Sequence, residues 1–297
     1  MGYLFLGIAL LSGIIRGYCG KKTSTLVNTL HDSLLLNTTR MLLCIVIGFF
    51  FAVFSEDGIS LSNLTWKAVF ISLLSGISLA SFVVTWIFSV QRGTYMMIEI
   101  SLLVSTLIPI VVCRIIYSEQ ISLLQWIGFG ILVIATYIMT VYNRSQNGKM
   151  TFGSIILLAS CAVFNGCADL SQKIFVHEVK NLSASVFNFY TYIAAFFVLL
   201  TVLLITGKNR KDVKTSGALL KNVFPYMLVM AVCLFANSFF KTLAAAKLPS
   251  AVLYPLMQGL KMILSLAMSS VFFKEKVTTK CIFGIVLAFA ALILMNF

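Results

Sequence analysis

The sequence predicts an all-α integral membrane protein, and two observations support this prediction. Of its 297 residues, 60% are hydrophobic and only 10% are charged. In a typical soluble domain, about a quarter of all residues are charged. Nearly the whole chain also divides into apolar stretches that approach or exceed the roughly 18 to 20 residues needed to span a bilayer. No polar segment between these stretches is long enough to fold a soluble domain, so we expect lipid to be the solvent around the protein.

The apolar stretches predict ten transmembrane helices. In the first half they are Tyr3–Tyr18, Leu34–Phe54, Trp66–Val90, Thr94–Tyr117 and Leu123–Tyr142. In the second half they are Phe152–Phe175, Ala184–Thr206, Val223–Ala245, Ser250–Phe273 and Thr279–Asn296. The first stretch has no basic region before it and another apolar segment follows it, so we expect a spanning helix and not a cleaved signal peptide.

The two halves of the chain are similar to each other. Glu119 follows the fourth predicted helix, and Glu275 follows the ninth in the same way. We therefore expect residues 1–147 and 148–297 to be two five-helix repeats within one integrated transport domain. A repeat with an odd number of spans must be inverted in the membrane relative to its mate, which is an arrangement that many carriers use.

Three segments resemble a known family. The segment from Leu34 to Leu43 resembles the second helix of EamA-type carriers in the drug/metabolite transporter superfamily. The segment from Pro109 to Glu119 is similar to their fourth helix, and Phe272 to Val277 repeats that ending in the second half. The resemblance covers the whole chain. It implies a secondary transporter of a small polar metabolite, which works by alternating access around a central cavity.

Other functions stay open beside this one. A flippase for a lipid-linked sugar and an exporter of cationic drugs or amino acids are the alternatives within transport. A membrane scaffold or enzyme subunit without transport activity is the alternative from another class, and the inverted repeat disfavours it. We expect a multi-pass protein of the cell membrane whose partners are the bilayer, a small-molecule substrate and a coupling ion, with a homodimer left open.

The motifs of several other functions are missing from the sequence. There is no G-x-x-x-x-G-K-S/T loop for a nucleotide, no H-E-x-x-H motif, and no nucleic-acid-binding motif. The seven cysteines form no C-x-x-C pair, and there are only two histidines. We therefore expect no enzymatic activity, no cofactor, no metal site and no nucleic-acid partner.

Polar side chains within the predicted spans are the candidate substrate-binding residues. An ionisable group at the bilayer centre costs about 2.5 to 3.5 kcal/mol to insert, so such groups are functional candidates by default. The set is Lys261, Gln258, Tyr254, Glu99, Arg40, Asn165 and Asp169. Lys261 is the strongest candidate, because it lies near the centre of its helix and shares one face with Gln258 and Tyr254.

Structural explanations compete with binding for several of these residues. Lys173 stands four residues from Asp169 on the same predicted helix, and we favour a local ion pair between them. Arg40 matches the family arginine, for which the resemblance implies a mainly structural role. Arg16, Arg114 and Lys241 lie near helix ends, and we expect them to extend to the lipid headgroups. These three bases are therefore not counted among the residues of the predicted cavity.

The remaining charges predict the charge of the substrate. If Lys173 neutralises Asp169, the predicted cavity keeps two bases, Arg40 and Lys261, against one acid, Glu99. An imbalance of charge matters more in a medium of low dielectric constant. We therefore expect a substrate that carries a carboxylate or phosphate, with Lys261 as its main partner.

Loop charge predicts the orientation in the membrane. The joints after the odd-numbered helices carry thirteen lysines and arginines, and those after the even-numbered helices carry three. The positive-inside rule then places both termini outside the cytoplasm, whereas the resemblance implies cytoplasmic termini.

We predict that the segment from Lys208 to Lys221 is cytoplasmic. A Thr215→Cys variant should resist an impermeant thiol reagent in intact cells, and rapid labelling would show that the orientation is the reverse.

Overall fold

A computed structural model describes residues 1–27, 29–55, 65–92, 95–144, 152–207, 213–273 and 279–295. Within these ranges the chain is helical apart from short turns, so the prediction of an all-α protein is confirmed there. Glu275, which we used to recognise the repeat, lies outside the described residues. The basic segment that follows Gly207 is described only from residue 213 onward.

Eleven helices are formed by the described residues. The first six are α1 (Gly2–Ser24), α2 (Leu30–Val53), α3 (Trp66–Arg92), α4 (Tyr95–Val104), α5 (Leu107–Tyr117) and α6 (Leu123–Arg144). The other five are α7 (Phe152–Glu178), α8 (Ala184–Gly207), α9 (Val213–Ala245), α10 (Ser250–Phe273) and α11 (Thr279–Leu294). Seven of the described helices are long and apolar enough to cross a membrane, and three further apolar helices are shorter. The count of ten spans stays a prediction.

The fourth predicted span is broken in the structure. We expected one helix over Thr94–Tyr117, but α4 ends at Val104 and α5 begins at Leu107. Pro109 has no N–H to donate to the carbonyl of Ser105, four residues earlier. That carbonyl instead accepts the N–H of Ile108 at 3.2 Å, in the tighter pattern of a 3₁₀ turn. The break therefore follows from the proline, and it lies beside the polar residues of the site.

The main helix contacts join the first half of the chain to the second. Helix α1 packs on α9, α2 on α8, α3 on α7, α4 on α10 and α6 on α11. In the predicted repeat, the first span corresponds to the sixth and the third span to the eighth. Helix α1 therefore corresponds to α7 and α3 to α9, so the α1–α9 contact in one half of the repeat corresponds to the α7–α3 contact in the other. An inverted repeat leads one to expect this pattern of packing. The two halves form one bundle, and neither buries its apolar surface alone.

The α3–α8 contact depends on a glycine. A Cβ atom at Gly76 would lie 2.5 Å from the Cβ atom of Ala194 and 2.8 Å from the carbonyl oxygen of Thr191. We predict that Gly76→Ala lowers the melting temperature in detergent, because overpacking costs about 1 to 3 kcal/mol and alanine recovers only about 1 kcal/mol of helix propensity. Gly130→Ala is the matched control, since a Cβ atom there meets nothing within 4 Å. Equal melting temperatures for the two variants would contradict the prediction.

Candidate functional site

All seven candidate residues are buried, with at most 7% of any of them exposed. They lie on four helices: Arg40 is on α2, Glu99 is on α4, and Asn165 and Asp169 are on α7, while the remaining three are on α10. Charged groups buried away from water need partners of opposite sign or hydrogen-bond donors. The arrangement of those partners defines the site.

Lys261 and Glu99 form a buried ion pair between the two halves. The Lys261 Nζ atom lies 2.9 Å from Oε2 of Glu99, and the two side chains are 5% and 1% exposed. The stem of Lys261 packs against Gly13 on α1, where a Cβ atom would lie 3.8 Å from the Lys261 Cε atom. Lys261 therefore points into the helix bundle, on the face that also buries Gln258 and Tyr254.

The polar face of α10 is only partly satisfied by protein groups. The Tyr254 hydroxyl donates to the backbone carbonyl of Asp169 at 2.8 Å. In contrast, the Gln258 Oε1 atom and the Ser265 hydroxyl have no hydrogen-bond partner among the residues that the structure describes. Buried polar atoms of this kind are unusual in a packed interior, and they are available to a polar ligand or water.

Our prediction of an ion pair between Asp169 and Lys173 is wrong. Asp169 pairs with Lys241, whose Nζ atom lies 2.5 Å from Oδ1. Lys241 is 8% exposed, so it does not extend to the headgroups as we expected. The Nδ2 atom of Asn165 lies 3.4 Å from the second oxygen of Asp169 and donates to the Ser105 hydroxyl at 2.9 Å. Asn165 thus connects the acid to the break between α4 and α5.

Lys173 pairs with Glu119 and ties several helix ends together. Its Nζ atom lies 3.2 Å from Oε1 of Glu119, and it donates to the carbonyls of Ala245 and Leu248 at 3.0 and 2.8 Å. The Oε2 atom of Glu119 accepts the N–H of Ser250 at 2.9 Å. The carboxylate therefore sits at the N-terminus of α10 and the ammonium at the C-terminus of α9, where each complements the helix dipole. These contacts close one end of the bundle.

Glu119 is ionised because of its neighbours. Burial by itself raises the pKa of Glu119, but the Lys173 ammonium and the Ser250 N–H outweigh it, and the net result is a pKa below the ordinary 4.5. Nearby, the His177 Nε2 atom lies 3.6 Å from Oε1 of Glu119, and the His177 ring stacks on Tyr117. An open cavity of about 360 Å³ lies beside these groups.

Arg40 and Arg16 face a narrow cavity whose described lining residues include no acid. Arg40 is 4% exposed, and its Nε atom has no hydrogen-bond partner in the described part of the chain. Arg16, on α1, is partly buried. The other residues that line this cavity are Phe82, Val83, Trp86 and Met230. Its volume is about 10 Å³, roughly the space of one water molecule, so a solute requires the cavity to open.

Sequence reasoning missed Arg16 and Lys241 as members of the site. Both were assigned to the headgroups because they lie close to helix ends. A signal was present for Lys241, since one acid, Asp169, had to be matched by some base in the apolar interior. Among the described residues, no cluster of histidine, cysteine, aspartate and glutamate could hold a metal ion.

Comparison with known proteins identifies a family for the second half of the chain. Residues 152–297 match the EamA-like transporter family. No curated protein matches the chain. One solved crystal structure is similar over 99% of this chain and 95% of its own, with a TM-score of 0.70 and 10% sequence identity. At this identity, the likeness shows the fold alone.

We predict that Glu119→Gln lowers the stability of the protein at neutral pH. Because the pKa of Glu119 is lowered by folding, its contribution is present above pH 4.5 and is lost as the pH falls through the lower folded value. Hydrogen bonds to a charged group contribute about 1.5 to 3 kcal/mol each. Thermal unfolding in detergent should therefore show a deficit at pH 7 that shrinks below pH 4.5.

Glu178→Gln is the control for this experiment. Glu178 pairs with Lys67 at 2.9 Å, but these side chains are 35% and 70% exposed, so solvent screens the interaction. The melting temperature of the control should stay close to that of the wild type. An equal effect of the two substitutions would mean that the contacts of Glu119 do not stabilise the closed end.

Proposed function

We propose, from the match of residues 152–297 to the EamA-like transporter family, that this chain is a multi-pass membrane transporter of the drug/metabolite transporter superfamily and, within it, a secondary carrier of a small polar metabolite with an anionic group. It works in the cell membrane by alternating access around the cavity between its two halves. The anionic group binds between Arg16 and Arg40.

The balance of buried charge is the observation that supports an anionic substrate. Among the described residues, Glu99, Asp169 and Glu119 each have a lysine partner. Arg40 and Arg16 share a cavity whose lining residues include no acid. Two guanidinium groups repel each other in a medium of low dielectric constant, and an anion between them removes this cost.

Arginine also has the right geometry for this task. Its planar guanidinium presents parallel N–H donors that match the two oxygens of a carboxylate or phosphate. We expected Lys261 to be the main partner of the substrate, but Lys261 is held by Glu99. The proposal therefore moves the role of main partner from Lys261 to Arg40, with Arg16 beside it.

The contacts between the halves support a mechanism of alternating access. The Glu119–Lys173 contacts close one end of the bundle, and they would have to break for solute to pass there. The Asn165–Ser105 hydrogen bond joins the halves at the break between α4 and α5, where the backbone is easiest to bend. Discontinuous helices of this kind form the substrate sites of other carrier folds.

One observation favours a lipid-linked substrate as the second candidate. An apolar groove of about 560 Å³ lies between α1 and α10, and its lining residues include Ile15, Tyr18 and Phe272. A lipid chain could lie in this groove while a phosphate reached the arginines. An exporter of cations is less favoured, because each buried acid in the described part of the chain already has a basic partner.

The test is ligand binding to the purified protein. Phosphate, sulfate, succinate and choline are compared on the wild type, Arg40→Gln and Arg16→Gln by their effect on tryptophan fluorescence. We expect an anion to bind and each substitution to weaken it about tenfold or more, because a hydrogen bond to a charged group is worth about 1.5 to 3 kcal/mol. Arg40→Lys should retain part of the affinity, since it keeps the charge.

Lys67→Gln is the matched control, because it removes one positive charge from an exposed position. It should leave anion binding unchanged. If choline alone binds, and Arg40→Gln leaves its affinity intact, then the anion assignment is wrong and an exporter of cations is the better description.

A further inference from the structure

Glu99 has an unusual environment among the buried acids of the described residues. Lys261 approaches its Oε2 atom to 2.9 Å, and the Oε1 atom has no hydrogen-bond partner among the described residues. Asp169, in contrast, is bonded by Lys241 and Asn165, and Glu119 by a backbone N–H. Proton uptake at Glu99 would therefore disrupt its contact with one cation, Lys261, and no contact with a backbone or amide donor.

Lys261 contacts Glu99 and also interacts with the charge of Arg16, which lines the cavity shared with Arg40 (the arginine cavity). Its stem packs against Gly13, and Arg16 is three residues further along α1, on the same side of that helix. The charge of Arg16 acts on Lys261, as does that of Lys241. The Lys261 ammonium is therefore attracted by the acid and repelled by the bases Arg16 and Lys241.

The other elements around Glu99 contribute little charge. Helix α10 contributes Lys261, and α7 contributes the Cys161 thiol, which interacts with both members of the pair. Helix α3 contributes the neutral hydroxyl of Thr85, which lies near the same thiol and donates to the backbone carbonyl of Ser81. On α6, Tyr137 is 69% exposed and faces away. Within the described residues, Lys261 is thus the charged group that responds most directly to a change in the charge of Glu99.

Two acceptors can hold the Lys261 ammonium after it leaves Glu99. The Gln258 Oε1 atom and the Ser265 hydroxyl stand about one turn on either side of Lys261 on the same helix face, and both are buried without partners among the described residues. A released ammonium is therefore not left without hydrogen bonds, which would be costly in the membrane interior.

We propose that Glu99 is a proton-binding site coupled through Lys261 to the anion site, so that the carrier moves one proton together with its anion. This inference rests on the proposed function. A proton from the open side forms an O–H bond on the Glu99 carboxylate, and Lys261 is released as a third positive charge for the anion. At the other side, the anion leaves, Glu99 releases its proton to water, and Lys261 pairs with it again. No bond to the solute is made or broken, and the proton gradient supplies the free energy.

The coupling is tested with sulfate, whose charge is constant between pH 5 and 8. Trp66→Phe and Trp126→Phe leave Trp86, in the lining of the arginine cavity, as the single fluorescent reporter. One coupled proton makes the affinity for sulfate rise by up to about tenfold per pH unit of acidification. Glu99→Gln imitates the neutral carboxyl, so its affinity should be high and independent of pH.

Proton uptake provides a second measurement. Sulfate added to weakly buffered protein should cause uptake of up to one proton per bound anion, followed with an indicator dye. Glu99→Gln and Lys261→Gln should both abolish the uptake while sulfate binding still depends on Arg40. Glu178→Gln, which removes an exposed acid, should retain it. If the Glu99–Lys261 pair only stabilised the fold, substitution of either residue would not abolish proton uptake while anion binding continued.

The outcomes distinguish the two proposals. If sulfate binding depends on Arg40 but proton uptake is absent, or is the same in Glu99→Gln, the coupling is wrong and the anion carrier stands. If sulfate, phosphate and succinate all fail to bind in a manner that depends on Arg40, the anion site is wrong, and the coupling to it is overturned as well.

Discussion

The need to neutralise charge inside an apolar bundle is the constraint on which the rest of this structure depends. A lone ion in the membrane interior is costly, so each one requires a partner. Two of the buried pairs, Glu99–Lys261 and Glu119–Lys173, take one member from each half of the chain. The halves are therefore held together by ionic contacts as well as by the packing of α1 on α9 and α3 on α7.

In the proposed mechanism of alternating access, these same contacts have to rearrange. A contact that is fully hydrogen-bonded, such as the one that holds the ends of α9 and α10, favours one closed arrangement. A contact that is ionic but poorly hydrogen-bonded, such as Glu99–Lys261, is easier to exchange for another. The two kinds of pair have different places in the bundle: the first at one end, the second in the interior. This division fits the proposed mechanism, in which the protein is stable in each of two states and converts between them.

The arginine cavity differs from both kinds of pair, because the described protein supplies no counter-ion to it. Arg40 was assigned a structural role on the basis of family resemblance, and Arg16 was assigned to the headgroups. The structure brings them to one cavity beside Trp86. Uncompensated charge lowers stability when the cavity is empty, and stability given up at one position is typical of functional sites.

The sequence by itself determined the class of the protein and the depth of some of its polar residues, but not that of Lys241. Hydropathy is a local property of about 20 residues, so it predicts spanning helices without knowledge of their neighbours. It also showed that Lys261, Glu99 and Arg40 are buried in apolar segments. Pro109 could have predicted the break near Ser105, because the loss of an N–H is a local effect.

Only the tertiary structure decided which charges meet. Spacing along α7 permits a pair between Asp169 and Lys173, but it does not exclude a better partner from another helix. Lys241, 72 residues from Asp169 in sequence, approaches it across the bundle, and Lys173 reaches the carbonyls at the end of α9 instead. The choice depends on which side chains the helix packing brings within about 3 Å, and that distance is set by contacts between both halves of the chain. For the same reason the sequence showed an excess of positive charge, while the packing decided that Arg16 and Arg40 carry it.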